Sequence, residues 1–409
     1  NRKRFEDLSL LIAPPYDVIS SSMRRELLNR SDFNIVNLSL GPEQDDGPGG
    51  LDVYTRTGQL WKNWQRDGVV TRLPEPAIWR LRERYEIPSG GRVTREGFLG
   101  LMGLENYSSS GVQRHEKTYS KPKTDRLRLL QKTRASLSPI FLVYQDQHGD
   151  TASLCESYRP KGTRTAAMET DVPVDREISF TTDESWIERF TSTIGSLPML
   201  IADGHHRYEA AKAFNRIKLR KGSLDSSCVL GYFVPASSQG LAICPVHRGI
   251  RSLRQLDYDS FLEDLSGFFE VIPAKDQPPE ATGLRLALPD DSLMVLKLRR
   301  QVLQELRQDY DAMFPVDADV RVLETIVFRK ILGLPSSEMA RKEHLAYFHR
   351  EDECLEAIQS GDLQMAFLLR PLSVQDLFLI ASRGEILPPK STYFFPKCPD
   401  GIVMHSFEQ

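Results

Sequence analysis

The sequence predicts an α+β protein in two parts, and three observations lead there. Apolar runs of strand length alternate with segments whose apolar residues recur at helical spacing. The 409 residues are 40% hydrophobic, 27% charged and 9% aromatic, the composition of a packed globular protein. That length asks for two or three core-forming units, with a division expected near residue 250, giving 1–250 and 251–409.

The elements follow in chain order. Pro14 and Pro15 break the apolar run of residues 10–19, forcing extended backbone and then a turn at Tyr16 and Asp17. Ser20 to Ser22 offers an N-cap for a helix through Leu28. Residues 34–40 read as a short strand, and residues 41–50 as a Gly/Asp/Pro-rich surface loop. Val53, Tyr54, Leu60, Trp61 and Trp64 line one face of an amphipathic helix. Residues 77–87 and 92–103 read as a hairpin around Ser89, Gly90 and Gly91. A basic block precedes a strand at 139–144, and residues 149–175 read as polar and irregular. A strand at 177–181 is followed by Thr182, Asp183 and Glu184, which cap a helix centred on 186–194. A buried strand, 197–202, stops at Asp203-Gly204-His205-His206-Arg207 and leads into a helix from Tyr208. Residues 228–234 and 240–246 read as another hairpin. Farther on, helices are expected at 260–268, 320–332 and 351–359, and strands at 284–288, 293–298 and 365–369.

Several function classes are disfavoured at once. The 53 Lys and Arg against 56 Asp and Glu leave a net charge of −3, so no global field attracts polyanions and no nucleic-acid partner is expected. Mean hydropathy is −0.37, and no run of about 18 apolar residues marks a membrane span. No signal-peptide pattern stands at the first residues given, which do not start with Met. The five cysteines are scattered without a CxxC, so they read as small buried apolar residues in a reducing, cytoplasmic setting. There is no P-loop, no strand-coupled GxGxxG, no GxSxG, no HExxH and no protein-kinase motif set.

The strongest chemical signal is the 203–207 segment. A strand that ends in a glycine turn at a helix start brings unpaired backbone N–H groups and the positive helix end to two imidazoles and a guanidinium, a ready anion site. Asp203 beside it can hold a cation or accept a hydroxyl proton. The plainer alternative makes Asp203 an N-cap and the histidines surface residues of the first turn. Zinc on His205 and His206 is disfavoured, because adjacent helical positions point about 100° apart.

The second signal lies between Gly111 and Arg134, where eight Lys/Arg face only Glu116 and Asp125, a local excess of six positive charges. Such a block binds phosphates or is a solvated face. Within it Glu116 stays ionised and can act as general base toward an alcohol while cations hold donor phosphates. Two weaker segments place cations beside prolines: Pro245-Val246-His247-Arg248, and residues 388–397 with Lys390, Ser391 and Lys397.

Residues 13–19, His115-Glu116-Lys117-Thr118 with Lys123, Asp125 and Arg126, residues 202–209 and residues 390–397 stand in the order found in a large bacterial family catalogued as a domain of unknown function, which this chain resembles over nearly its whole length. The 203–207 segment is also similar to the second motif of the ParB/sulfiredoxin-like fold, whose Gly-x-x-Arg corner binds phosphate groups. The resemblance implies a ParB/sulfiredoxin-like core in 1–250 and an additional C-terminal α/β domain, 251–409, that contributes to the pocket. Free L-serine kinases belong to that superfamily. What they imply is phosphotransfer to a small alcohol, with free L-serine the leading acceptor, Mg²⁺ as cofactor and pyrophosphate, ADP or ATP as donor.

On this reading Glu116, Asp203 and His205 are catalytic, with Asp203 also the metal ligand. Gly204, His206, Arg207, Lys117, Lys123 and Arg126 bind phosphate. His115, Asp17, His247, Arg248, Lys390, Ser391 and Lys397 contact substrate. Two other classes compete. A ParB-like nucleotide-binding regulatory or DNA-associated module needs a helix-turn-helix and a separate basic face, and neither is legible. A sulfiredoxin-like enzyme needs a cysteine at the corner, where His205 and His206 stand. The same site would also run as a phosphatase, and the direction of reaction, the donor and the oligomeric state are not written in the residues.

Overall fold

Two long strands, β1 (Ile78–Glu86) and β2 (Arg92–Gly103), pair antiparallel from Trp79 opposite Leu99 to Glu86 opposite Arg92. In this computed structural model residues 7–41, 51–88, 90–108, 111–169, 173–219, 227–253, 256–276, 283–311, 313–334 and 344–408 are described. The chain forms two compact units: residues 1–114, 118–242 and 394–409 in the first, and 115–117 with 243–393 in the second. The division is therefore not the single cut expected near residue 250, since the chain crosses at Ile243 and returns at Phe394.

In the first unit β1 and β2 lie in an eight-stranded sheet with β3 (Val112–Gln113), β4 (Ile140–Tyr144), β5 (Gly162–Glu169), β6 (Pro173–Thr181), β7 (Met199–Asp203) and β8 (Cys228–Pro235), in the order β3-β7-β4-β8-β2-β1-β6-β5. All five residues of β4 are buried, which is why it reads as one apolar run. The helix Glu184–Gly195, N-capped by Asp183, buries Trp186, Phe190 and Ile194 at i, i+4 and i+8. Those side chains join Phe98, Tyr158 and Ile201 in one core, where Trp186 and Phe190 stack at 5.1 Å. Each such side chain contributes roughly 1.5–3 kcal/mol on leaving water. A second core cluster gathers Leu27, Ile35, Val36, Leu38, Trp61 and Trp64, the last two from the helix Val53–Arg66.

The second unit has a six-stranded antiparallel sheet, in the order Phe269–Pro273, Leu293–Leu298, Leu284–Ala287, Met365–Leu368, His247–Ile250, Leu345–Phe348. The helix Glu351–Gln359 buries Cys354 and Ile358 against Leu363, Ala366 and Leu368. A helical turn, Asp319–Val322, runs on as a π-helix, Leu323–Ile331. Asp319, nearly buried, is held by Arg370 at 2.6 Å. Both units mix strands and helices, so the α+β class stands.

Four local expectations are corrected. Residues 34–40 contain a short helix, Val36–Ser39, because the Asn34 side chain accepts from Val36 N–H and donates to the Leu10 and Ile12 carbonyls, fixing a turn. The polar stretch 149–175 holds the helix Asp150–Ser157 and the strand β5, and β6 starts already at Pro173. Lying at the sheet edge, β5 pairs with only one neighbour and needs little apolar sequence. The strand Ala242–Cys244 does not join β8 in the eight-stranded sheet. The helix after β7 starts at His205, one turn earlier than Tyr208. The expected loop lies, beyond Gly41, outside the described residues, as does Ser89 of the hairpin turn. Among the described residues no helix is long and apolar enough to cross a membrane.

Candidate active site

Strand β7 is buried from Met199 to Ala202 and delivers Asp203 to the sheet's end. Gly204 then turns the chain at φ +97°, a conformation side chains rarely adopt, and a Cβ there would stand 3.0 Å from Arg207 Nε. Tyr208 N–H donates to the Gly204 carbonyl at 2.9 Å, and the helix His205–Leu219 begins with no acidic residue in its first turn.

One turn into that helix, the Arg207 guanidinium reaches back to the Asp203 carboxylate through Nη2 and to the Pro139 carbonyl through Nη1. The other Asp203 oxygen accepts from Lys397 Nζ, which also donates to Asp17 at 3.0 Å. Three remote segments thus meet in a row of alternating charge: Asp17, Lys397, Asp203, Arg207. Burial disfavours the Lys397 charge, but Asp17 and Asp203 outweigh it and hold the ammonium well above its ordinary range. Arg207 is likewise raised by Asp203, Asp400 and Asp17 against the cost of burial.

Behind this row lies Arg126, with its guanidinium 4.0 Å from the Tyr16 ring centroid, 2.5 Å from Asp125 and donating to the Ser39 carbonyl at 2.8 Å. Asp125 also accepts from Tyr54 at 2.7 Å. Burial pushes the Tyr16 hydroxyl up to about 12, which keeps it protonated. His205 is buried, and His206 Nε2 accepts from Tyr119 N–H at 2.9 Å. Lys123 lies half-buried on the helix Ser120–Thr133. Asp203 faces two cations at this corner, and His205 is buried, not a surface residue of the first turn.

The remaining expected site residues fall in the second unit. His115 is fully buried, its Nε2 2.9 Å from Thr392 Oγ1 and its carbonyl accepting from Leu387 N–H. Glu116 accepts from Lys390 N–H at 3.3 Å, and Lys117 is exposed. Arg248 donates to the carbonyls of Val246, Pro389 and Lys390 beneath the Tyr347 ring, and burial lowers it to about 10. Ser391 Oγ donates to the Pro388 carbonyl. His247 accepts from Leu369 N–H at 3.0 Å, and burial brings it down to about 4, so it stands as a neutral imidazole bonded to the sheet backbone. Lys397, expected to act with Lys390 and Ser391, belongs instead to the first unit.

A dedicated Mg²⁺ cage does not fit the residues as arranged. Lys397 occupies the space between the two carboxylates, and Asp203 has an oxygen on each of two cations. Among the described residues no group of three His, Cys, Asp or Glu is placed to hold a metal ion.

Sequence reasoning missed Asp400. It is fully buried, and its backbone pairs with Ala13 in both directions, N–H to carbonyl. Cys398-Pro399-Asp400-Gly401 reads as an ordinary turn, so nothing local marks it.

The family model described as "Protein of unknown function (DUF1015)" matches residues 1–325, and the chain belongs to that family. No curated protein matches it. Among solved structures, a conserved hypothetical protein from Pyrococcus furiosus is 14% identical with a TM-score of 0.37, over 76% of this chain and 96% of that one. A free serine kinase in complex with AMP is 14% identical with a TM-score of 0.38, over 75% and 91%. SbnI with a C-terminal truncation, from Staphylococcus aureus, is 13% identical with a TM-score of 0.40, over 76% and 89%.

Proposed function

We propose that this protein is a small-molecule phosphotransferase that transfers a phosphoryl group to an alcohol, with a ParB/sulfiredoxin-like phosphate corner and free L-serine as its leading acceptor. One observation carries the reading: the strand-to-helix corner at Gly204, where the helix His205–Leu219 begins beside the cations Arg207 and Lys397, both of which bond Asp203. Aligned N–H groups and two cations suit the spread negative charge of a transferring phosphoryl group.

Before a donor binds, the charges of Arg207 and Lys397 are balanced by Asp203 and Asp17. An incoming phosphate competes with those carboxylates for the same cations. A carboxylate so displaced would orient a hydroxyl placed in line with the donor. Asp203 takes that role here. Glu116 remains the base expected from its basic sequence surroundings, and it is tested on its own. Mg²⁺ bound to a donor's phosphates would supply further charge neutralisation.

The test is phosphorus NMR on the protein with Mg²⁺ and L-serine, with ATP, ADP or pyrophosphate in separate samples. A phosphomonoester signal that needs serine is the expected result and names the donor. Asp203→Asn and Glu116→Gln should each slow its appearance at least 100-fold. Near-normal turnover in either variant removes that residue's role. Inert samples with every donor and with other small alcohols would leave a binding module and sink the transferase reading.

A further inference from the structure

Asp400 is a charged group in an unusual position. It is 0% exposed, its main chain is fixed by two hydrogen bonds to Ala13, and apart from the Ser138 hydroxyl its carboxylate has no hydrogen-bond partner among the described residues. Buried carboxylates in native proteins nearly always have partners. The groups that act on it come from four segments. They are Arg207 on the helix His205–Leu219, Arg126 on the helix Ser120–Thr133, the nearby Ser138 hydroxyl and, as the like charge, Asp17. Arg207 in turn faces Asp203, Asp17 and Tyr16. Arg126, Ser138 and Arg207, three of the groups that act on Asp400, line a cleft among apolar side chains such as Leu129, Leu130 and Val229.

We propose that Asp400 is a positioning residue of the anion corner: when a phosphate-like dianion binds at Arg207, Asp400 takes up a proton from solvent. The inference rests on the phosphate reading of that corner and adds how the corner's charge is regulated. The reasoning is electrostatic. With no anion present, Arg207 supports some negative charge on Asp400. A bound dianion claims the Arg207 field, and a second negative charge on a buried carboxylate with one hydroxyl for a partner then becomes unfavourable. The proton ends on a carboxylate oxygen, and the net charge of the anion pocket falls by less than the charge of the ligand. Burial already pushes Asp400 up to about 7, against the pull of Arg207 and Arg126, so the exchange falls in the neutral range. By linkage, the same coupling makes anion binding tighter as pH falls.

Calorimetric titration with sulfate provides the test, because sulfate is a tetrahedral dianion with no proton of its own to exchange near pH 7. Run at pH 7 in two buffers of different ionisation enthalpy, the wild type should take up about half a proton per sulfate bound. Its affinity should rise several-fold from pH 8 to pH 6. Asp400→Asn should bind sulfate with no uptake from this position and a flatter pH profile. Equal uptake in wild type and variant assigns the proton to another group, His205 or His206 included, and overturns the proposal. If Asp400→Asn does not fold, carbon-13 carboxyl NMR of the wild type decides the matter. One aspartate titrating near neutral pH and moving up on addition of sulfate is expected, and aspartates that all titrate below about pH 5 overturn it. Should neither sulfate nor pyrophosphate bind, the phosphate reading itself falls and the coupling with it, whereas binding without proton uptake removes the coupling alone.

Discussion

The Arg95 guanidinium donates to the Pro396 carbonyl at 2.6 Å from a position with no exposure to water. It also donates to the Phe395 carbonyl at 3.2 Å and to Glu83 at 2.5 and 2.9 Å, under the Phe141 ring. Glu83, equally buried, accepts further bonds from Arg176 at 3.0 Å and Tyr232 at 3.2 Å. Strands β1, β2, β6 and β8 thus combine to grip the backbone of residues 395 and 396, immediately before Lys397 in the chain.

Removing one partner of such a buried set strands the others. Arg95→Met should cost about 3–5 kcal/mol in urea unfolding, because Glu83 and two carbonyls lose their donor. Arg95→Lys should recover little of this, since one ammonium cannot reproduce the forked set of bonds. A loss below about 1 kcal/mol would show that Arg95 is not what holds this segment.

Lys397→Met leaves Asp17 and Asp203 facing each other with no cation between them. Pyrophosphate affinity should fall roughly 10- to 100-fold, the equivalent of one charge-assisted hydrogen bond. Calorimetry at constant pH measures it, and unchanged affinity would take Lys397 out of the anion corner.

Gly204→Ala meets two obstacles at once, a φ of +97° and the Arg207 guanidinium 3.0 Å from the new Cβ. A stability loss of about 1–3 kcal/mol is expected, with anion affinity reduced because Arg207 must move. Gly149→Ala also places a side chain at positive φ, +72°, but meets nothing within 4 Å, so it controls for backbone strain alone.

Two buried groups give stability opposite slopes with pH. Asp400 has a raised pKa, so between about 4 and 7 the unfolded chain releases this proton while the native state keeps it, and stability declines as pH rises through that window. His247 is lowered to about 4, so below its ordinary 6.5 the unfolded chain gains a proton that the native state refuses, and stability declines as pH falls from 6.5 toward 4. Asp400→Asn should remove the first slope and His247→Gln the second, read as melting temperature at half-unit pH steps. Parallel profiles for wild type and both variants would contradict both assignments.

How much of this was legible in the residues depends on how local each signal is. The corner at 203–207 stood out because an apolar strand, a glycine and a helix start are consecutive, and the hairpin of β1 and β2 because two strand-like segments flank Gly90 and Gly91. Strand β5 escaped because Thr163, Arg164 and Thr165 carry no apolar alternation and an edge strand needs none. Residues 34–40 misled because their valine and leucines favour a strand, while the deciding group is the side chain of Asn34 reaching residues more than twenty positions away. Asp400 and the pairing of Lys397 with Asp17 across 380 positions leave no periodic trace. Long-range charge pairing is invisible in spacing, even where each partner looks chemically interesting alone.

The return of residues 394–409 to the first unit sets an order of events during synthesis. Strands β1 to β8 leave the ribosome with Arg95 lacking its carbonyls and with Asp17 and Asp203 still awaiting Lys397. All of residues 243–393 must be translated before those partners arrive, a wait on the order of ten seconds or more at about 5–20 residues per second. The second unit therefore has time to form while the first is unfinished, and the anion corner is completed only after residues 243–393 have been made. A nascent chain halted before Lys397 would carry the 203–207 corner without its second cation, so the corner gains its charge balance only once the chain has come back from the second unit.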